Sequence, residues 1–387
     1  MGRPRKAEVK PKTKIKKLRV PKEVKTKKPK HVDNIDFFDK MAKATGNDLA
    51  QAVSNGIISG DITGWIDTGV YLFNAQLSGS LFGGAPNNKI VVFAGPAATG
   101  KTFFVLALIK HFLNTHPKSG VMFFESEGAI TKDMMLQRGI DISRVYCIPI
   151  ETVQELRTQS LKMLRMVKDT PEDKRHPVMF VCDSLGMLST IKEMEDSESG
   201  SEKADMTRAR LIKSAFRTIT LKLGVLGIPF FVTNHVYDTQ GLFSHKVQSG
   251  GAGIQYANSL SVFLSKSKDK VGTEVVGAIL HCKLEKGRLT KENTVIDVSL
   301  DYGSGLDRYY GLLELGLKYE LFKKVKEDKK EKILIGLNKA TEKQIEAHPE
   351  EYFTEDVLKA LDVCAGKEFN YGTNIIIPEE IEEVENE

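Results

Sequence analysis

Apolar and polar positions along this chain fall into short β-branched runs separated by longer amphipathic stretches. Runs at 89–94, 120–126, 144–149, 177–183 and 228–234 have the length and composition of buried strands. Between them, segments 102–115, 131–139, 151–168 and 204–225 carry helical periodicity. Such alternation predicts an α/β protein whose mostly parallel sheet is flanked by helices. Three more apolar runs, 259–265, 274–283 and 294–300, follow without helices between them. They extend the sheet or form an antiparallel edge. Beyond Tyr310 the chain turns charged and reads as a small helical appendage.

The flanks have a different character. Residues 1–32 alternate Lys, Pro and Thr with few large apolar residues, the composition of a segment disordered on its own. Residues 33–60 become amphipathic, with Ile35, Phe37, Phe38, Met41, Leu49 and Val53 among charges. This short helical segment either docks on a neighbouring copy or caps its own core. The resulting division is a basic arm at 1–32, a helical oligomerisation segment at 33–60, a core at 61–310, an appendage at 311–377 and an acidic tail at 378–387.

Charge sharpens that division. The net charge of +5 over 387 residues hides fourteen Lys or Arg against two Glu in residues 1–30, while 378–387 holds six Glu. A basic arm points to a polyanion partner, and an acidic tail to a competitor for the same cations. Gly2-Arg3-Pro4 has the form of a minor-groove hook, but a non-specific phosphate-gathering arm explains the composition better, and a solubilising tail without a partner is the third reading. No apolar run approaches the roughly 20 residues of a membrane span. The cysteines, Cys147, Cys182, Cys282 and Cys364, form no C-x-x-C pair, which fits a reducing cytoplasm better than a disulfide or zinc framework.

The chemistry is concentrated after the first strong strand. Gly95-Pro96-Ala97-Ala98-Thr99-Gly100-Lys101-Thr102 matches G-x-x-x-x-G-K-[ST] between an apolar strand and a helix. The glycines let backbone N–H groups and a helix N-terminus approach phosphates. Lys101 then reaches the β- and γ-phosphates, and the Thr102 hydroxyl holds Mg²⁺. The run 177–183 ends in Asp183, the acid that orients the metal or its waters. Hydrolysis of a bound nucleoside triphosphate also needs a group to orient the attacking water, and a carboxylate can take its proton. Glu125 and Glu127, at the end of the next strand, both occupy a suitable position, and spacing does not separate them. His235, just after the strand at 228–234, either senses the γ-phosphate or, as lone histidines more often do, serves a structural contact. Two long irregular stretches, 188–205 and 236–253, stand beyond the strand ends, where mobile Gly-containing loops suit contact with a nucleic-acid backbone.

These residues, with the blocks LFNAQLSGSLFGG (72–84), FESEGAI (124–130), CDSL (182–185), DMTRAR (205–210), TNHVYDTQGLF (233–243), GGAG (250–253) and LEKGR (284–288), are together similar to the RecA recombinase family, nearest its phage branch. The resemblance spans roughly residues 70–320. It implies a RecA-like P-loop ATPase core that forms a helical filament on single-stranded DNA and pairs it with homologous duplex DNA. ATP would sit between adjacent subunits. A single-strand-binding protein and a loading mediator are implied partners, and a bacterial host cytoplasm the implied location. Glu127, not Glu125, falls at the family's catalytic glutamate, alongside Lys101 and His235. Residues 188–205 and 236–253 fall at the two DNA loops, with Arg208, Arg210, Phe243, Lys246, Gly250 and Gly251 as DNA contacts. Lys286 and Arg288 fall where a neighbouring subunit supplies cations to the phosphates. Met134 stands where relatives place an aromatic against adenine, and the first loop is unusually acidic. Two other classes share parts of this pattern. A ring helicase or translocase typically has a separate N-terminal assembly domain, for which little chain precedes Gly95. A non-catalytic regulator would have no need of Lys101, Thr102, Glu127 and Asp183 together.

Overall fold

The computed structural model describes residues 35–200, 207–238, 246–249, 253–327 and 330–372. The basic arm, the acidic tail, Phe243, Gly250 and Gly251 lie outside these residues. The chain divides into two compact units, the smaller made of 1–50 with 374–387 and the larger of 51–373. Within the smaller, helix α1 (Ile35–Ala44) leaves Phe37, Phe38 and Met41 exposed.

The larger unit is built on a sheet of ten strands. Six are parallel, in the order β5 (Val145–Pro149), β4 (Gly120–Glu125), β6 (Val178–Asp183), β7 (Phe230–Asp238), β3 (Ile90–Gly95) and β9 (Leu260–Val271). The sheet continues antiparallel through β10 (Glu274–Gly287), β11 (Val295–Asp301) and β12 (Gly305–Leu306), and β8 (Lys246–Gln248) pairs with the end of β7. The three helix-free apolar runs therefore divide between the two expected outcomes: β9 joins the parallel set and the next two form an antiparallel edge. A short ribbon, β1 (Trp65–Ile66) with β2 (Ala85–Pro86), brackets helix α2 (Tyr71–Ser78).

Period-two alternation sends neighbouring residues of the central strand to opposite faces. Val91 and Phe93 of β3 join one core with Phe73 of α2 and Phe104 of α3 (Lys101–Thr115). Ile90, Val92 and Ala94 join a second core with Phe124, Phe180, Phe216 and Phe230, beneath α5 (Val153–Asp169) and α7 (Arg208–Leu226). Helix α5 begins where the T-x-x-E pattern requires: Glu155 N–H donates to Thr152 Oγ1 (3.2 Å), and the Glu155 carboxylate accepts from Thr152 N–H (2.9 Å). Helices α4 (Lys132–Gln137), α6 (Ile191–Glu198) and α8 (Gly253–Ala257) are shorter and lie in the connections.

The segment after Tyr310 differs from the helical reading. Helix α9 (Leu312–Lys318) is followed by an antiparallel sheet, β13 (Lys323–Glu327), β14 (Lys330–Ile335) and β15 (Asn338–Ala340), and then by α10 (Glu342–Ala347), α11 (Pro349–Tyr352) and α12 (Glu355–Phe369). The strands KKVKE and KEKILI are dense in Lys and Glu, which also favour helices, so composition concealed their alternation. In the sheet these charges pair across strands, as Lys324 does with Glu331 at 2.8 Å, while Ile333 and Ile335 are buried. No helix among the described residues is long and apolar enough to cross a membrane.

Candidate nucleotide and DNA site

The C-terminal ends of β3, β4, β6 and β7 converge on a cleft of about 390 Å³. Its floor is the loop 95–102. A Cβ at Gly95 would lie 2.4 Å from Leu264 O, and Gly100 has φ +91° with Leu280 packed against it, so both positions require glycine. Lys101 is buried, its ammonium donating to Gly95 O (3.0 Å) and Pro96 O (2.8 Å). Burial lowers its pKa against the opposing pull of Glu127 and Asp183. A buried cation satisfied only by neutral carbonyls gains from an anionic phosphate arriving beside it.

Thr102 Oγ1 donates to Asp183 Oδ2 at 2.9 Å, so the two proposed metal-holding groups meet across α3 and β6. The other oxygen of Asp183 accepts from the Thr233 hydroxyl of β7. Burial raises the Asp183 carboxyl, and Glu127 adds repulsion, against hydrogen bonds from Thr233 and Thr102 and the charge of Lys101. A hydroxyl and a carboxylate at such a separation are hard oxygen donors that suit Mg²⁺.

The two glutamates at the end of β4 are separated by their contacts. Glu125 Oε1 accepts from Glu127 N–H (3.0 Å) and from Gly128 N–H, closing the turn that follows the strand. Glu127 lines the cleft, with Oε1 lying 2.6 Å from His235 Nε2. Burial pushes its carboxyl up, but the nearby Ser184 hydroxyl, His235 and Lys101 outweigh this and hold it below the usual carboxylate range. At neutral pH it is therefore in the ionised form that a base requires.

Met134, from α4, lines the same cleft. Sequence reasoning missed three other residues there. Arg138 donates to Met134 O at 2.8 Å and stacks over Phe103 at 4.3 Å. Lys266 and Tyr302 approach from β9 and from the turn after β11, and Tyr302 is largely exposed. An isolated aromatic in a DYGSG turn was the available signal for Tyr302.

Lys286 and Arg288 lie elsewhere. Gly287 pairs with Leu260 at the start of β9, and Leu260 pairs with Val91, so this end of β10 is opposite the loop that follows Gly95. Lys286 Nζ donates to Asn258 O (2.8 Å), Asn258 Oδ1 (3.1 Å) and Gln255 O, and burial together with Arg288 lowers its pKa to about 8. Arg288 opens onto a second cleft, of about 520 Å³, lined also by Lys89, Lys213, Arg217 and Tyr256. Lys213 and Arg217 share one face of α7 with exposed Arg210 at helical spacing.

Arg208 is used internally. Its guanidinium donates to Leu188 O (2.7 Å), Gly186 O (2.7 Å) and Leu185 O (3.3 Å), and reaches Ser249 Oγ at 3.4 Å. It thus braces the chain after Asp183 against the segment that carries β8. Part of the acidic first loop is helix α6, which Thr190 caps: Glu193 N–H donates to Thr190 Oγ1 (3.0 Å) and the Glu193 carboxylate accepts from Thr190 N–H (3.3 Å). Lys246 lies in β8, the strand that pairs with β7 just past His235.

The RecA N-terminal domain matches residues 60–307 of this chain. The recombination and repair protein of Enterobacteria phage T4 is 32% identical over 253 residues, 65% of this chain and 63% of that protein. Protein RecA of Streptomyces rimosus is 26% identical over 248 residues, 62% of each chain. Protein RecA of Rickettsia prowazekii is 25% identical over 248 residues, 62% of this chain and 68% of its own length. The chain thus spans a little under two thirds of the length of the first two relatives. A match over most of the core, on a sheet whose strand ends gather the phosphate loop, Asp183, Glu127 and His235, places this chain in the RecA family.

Proposed function

We propose that this chain is a DNA-dependent ATPase acting as a homologous recombinase. It assembles as a helical filament on single-stranded DNA, pairs that strand with homologous duplex DNA and exchanges strands in recombination, repair and recombination-dependent replication. The observation that carries the reading is the pairing of one cleft holding Lys101, Thr102, Asp183 and Glu127 with a separate cation-lined cleft on α7. The names of the phage and bacterial relatives, recombination and repair protein and RecA, support the same activity.

On this reading, N–H groups of 95–102 and Lys101 hold the phosphates of ATP. Thr102 and Asp183 hold Mg²⁺, which neutralises phosphate charge when bound. Glu127 orients the attacking water and takes its proton, with His235 positioning the carboxylate. Lys286 and Arg288, at the opposite end of the sheet, serve the nucleotide of an adjacent copy, which makes turnover depend on assembly. Exposed Phe37, Phe38 and Met41 of α1 supply an apolar contact for that assembly. Arg210, Lys213 and Arg217 contact the DNA backbone, with Phe243, Lys246, Gly250 and Gly251 as further DNA contacts. A single-strand-binding protein and a loading mediator would govern access to the strand in a host cytoplasm.

The test is ATP turnover with and without single-stranded DNA, for the native chain and Glu127→Gln, followed by strand exchange. Stimulation by DNA that disappears in the variant supports the reading. Turnover indifferent to DNA would remove it.

A further inference from the structure

A second chemical cluster occupies the face of β9, β10 and β11 turned away from the nucleotide cleft. His281 of β10 stands directly opposite Asp297 of β11, and Ser267 lies two residues along β9 from Ser265, the other cross-strand partner of His281. His281 Nδ1 is 2.7 Å from Asp297 Oδ1, and His281 Nε2 is 3.1 Å from Ser267 Oγ. A carboxylate only accepts, so in the neutral ring Nδ1 carries the hydrogen and Nε2 turns its lone pair to the Ser267 hydroxyl. Carboxylate, imidazole and hydroxyl thus form a relay in the order that activates a serine. All three groups are open to solvent: the side chains of His281 and Asp297 are 36% and 46% exposed, and Ser267 is exposed too.

We propose that Ser267 is a nucleophilic serine, a covalent modification site for small activated esters and fluorophosphonates, with His281 as its base and Asp297 as the positioning residue. With a fluorophosphonate, Ser267 Oγ attacks phosphorus, its proton passes to His281 Nε2 and the P–F bond breaks to release fluoride, leaving a phosphonylated serine. With an aryl ester, Ser267 Oγ attacks the carbonyl carbon while its proton passes to His281 Nε2. The bond to the aryl oxygen breaks, and the departing aryloxide takes that proton, leaving an acylated serine. Water then attacks the acyl group through the same imidazole, releasing the carboxylic acid and restoring the hydroxyl. The backbone of β9 and β10 is engaged in its ladder, so acceleration comes from the activated hydroxyl and not from an oxyanion pocket. Lys266, Ala278 and Leu280 of the same strands line the nucleotide cleft instead. The cluster can therefore be altered without touching that cleft.

The experiment treats the full chain with a fluorophosphonate probe and maps the adduct by mass spectrometry, comparing Ser267 with exposed Ser199 in the same digest. Labelling of Ser267 about 100-fold faster than Ser199 is expected, as is a similar loss in His281→Gln. Asp297→Asn should slow labelling, and Asp297→Glu should recover part of it, which a purely structural role would not produce. Hydrolysis of p-nitrophenyl acetate should fall to background in Ser267→Ala. Equal rates at Ser267 and Ser199 overturn the proposal without any variant, as does labelling of Ser267 that is unchanged in His281→Gln.

Discussion

His235 Nε2 lies 2.6 Å from Glu127 Oε1, joining β7 to the carboxylate just past β4 across the mouth of the cleft. From His235 the chain runs directly into the stretch that pairs with β8, so one contact ties the proposed proton acceptor to a candidate DNA loop. His235→Ala is expected to lower DNA-free ATP turnover, because Glu127 loses its positioning partner, and to abolish the stimulation by DNA. His235→Gln, which keeps a hydrogen-bonding group, should retain part of it. Steady-state rates with and without single-stranded DNA decide this, and equal stimulation in all three proteins would disprove the coupling.

Glu125 and Glu127 should separate cleanly under mutation. Glu127→Gln is expected to lower kcat by about 10²–10⁴-fold, the usual contribution of a positioned base, with nucleotide affinity retained. Glu125→Gln keeps an oxygen that can accept from Glu127 N–H and Gly128 N–H, so its kcat should change far less. The reverse order in the same assay would transfer the role to Glu125.

Thr233 is wholly buried and donates to Asp183. Thr233→Val removes that donor while nearly preserving shape, leaving one carboxylate oxygen without its partner. Unfolding in urea should show a loss of about 1–3 kcal/mol, and half-maximal ATP turnover should need more Mg²⁺. Unchanged stability together with an unchanged magnesium requirement would exclude this role for the hydroxyl.

The basic face of α7 predicts a salt signature. Each phosphate contact on single-stranded DNA contributes about 0.7 to the slope of log affinity against log salt. Replacing Lys213 and Arg217 together by Ala should therefore lower that slope by about 1.4 and weaken binding, with ATP affinity in the absence of DNA unaltered. An unchanged slope would show that the cleft holds something other than a phosphate backbone.

Asp67 supplies a pH test away from the catalytic groups. Burial raises its pKa, but Asn74 Nδ2 (2.9 Å), Gly69 N–H (2.8 Å) and Arg308 (2.9 Å) outweigh this and the net shift is downward. A depressed folded-state pKa contributes stability that is present above the unfolded value of about 3.8 and is lost as pH falls through the folded one. Asp67→Asn should thus cost about 2 kcal/mol at pH 7, and the difference from the native chain should shrink below pH 4. A penalty constant from pH 7 to pH 3 would place the effect outside the charge of Asp67.

What the sequence by itself determined is what local physics specifies. A phosphate loop needs glycines at fixed spacing between a buried strand and a helix, so Gly95 to Thr102 were legible, as was Asp183 at the end of an apolar run. The parallel core was legible because strands buried on both faces read as continuous apolar runs. Tertiary structure decided the contacts between distant segments. It spent Glu125 on a turn and turned Glu127 toward His235, a choice that spacing left open. It placed Lys286 and Arg288 at the far end of the sheet, committed Arg208 to the carbonyls after Asp183, and brought Lys213 and Arg217 beside Arg288. It also paired the lysines and glutamates of the C-terminal sheet and aligned Ser267, His281 and Asp297 across three strands. The physical reason is common to all of these. A side chain's role depends on which strands are neighbours and in what register, and pairing between segments far apart in the chain is set by the packing of the whole core.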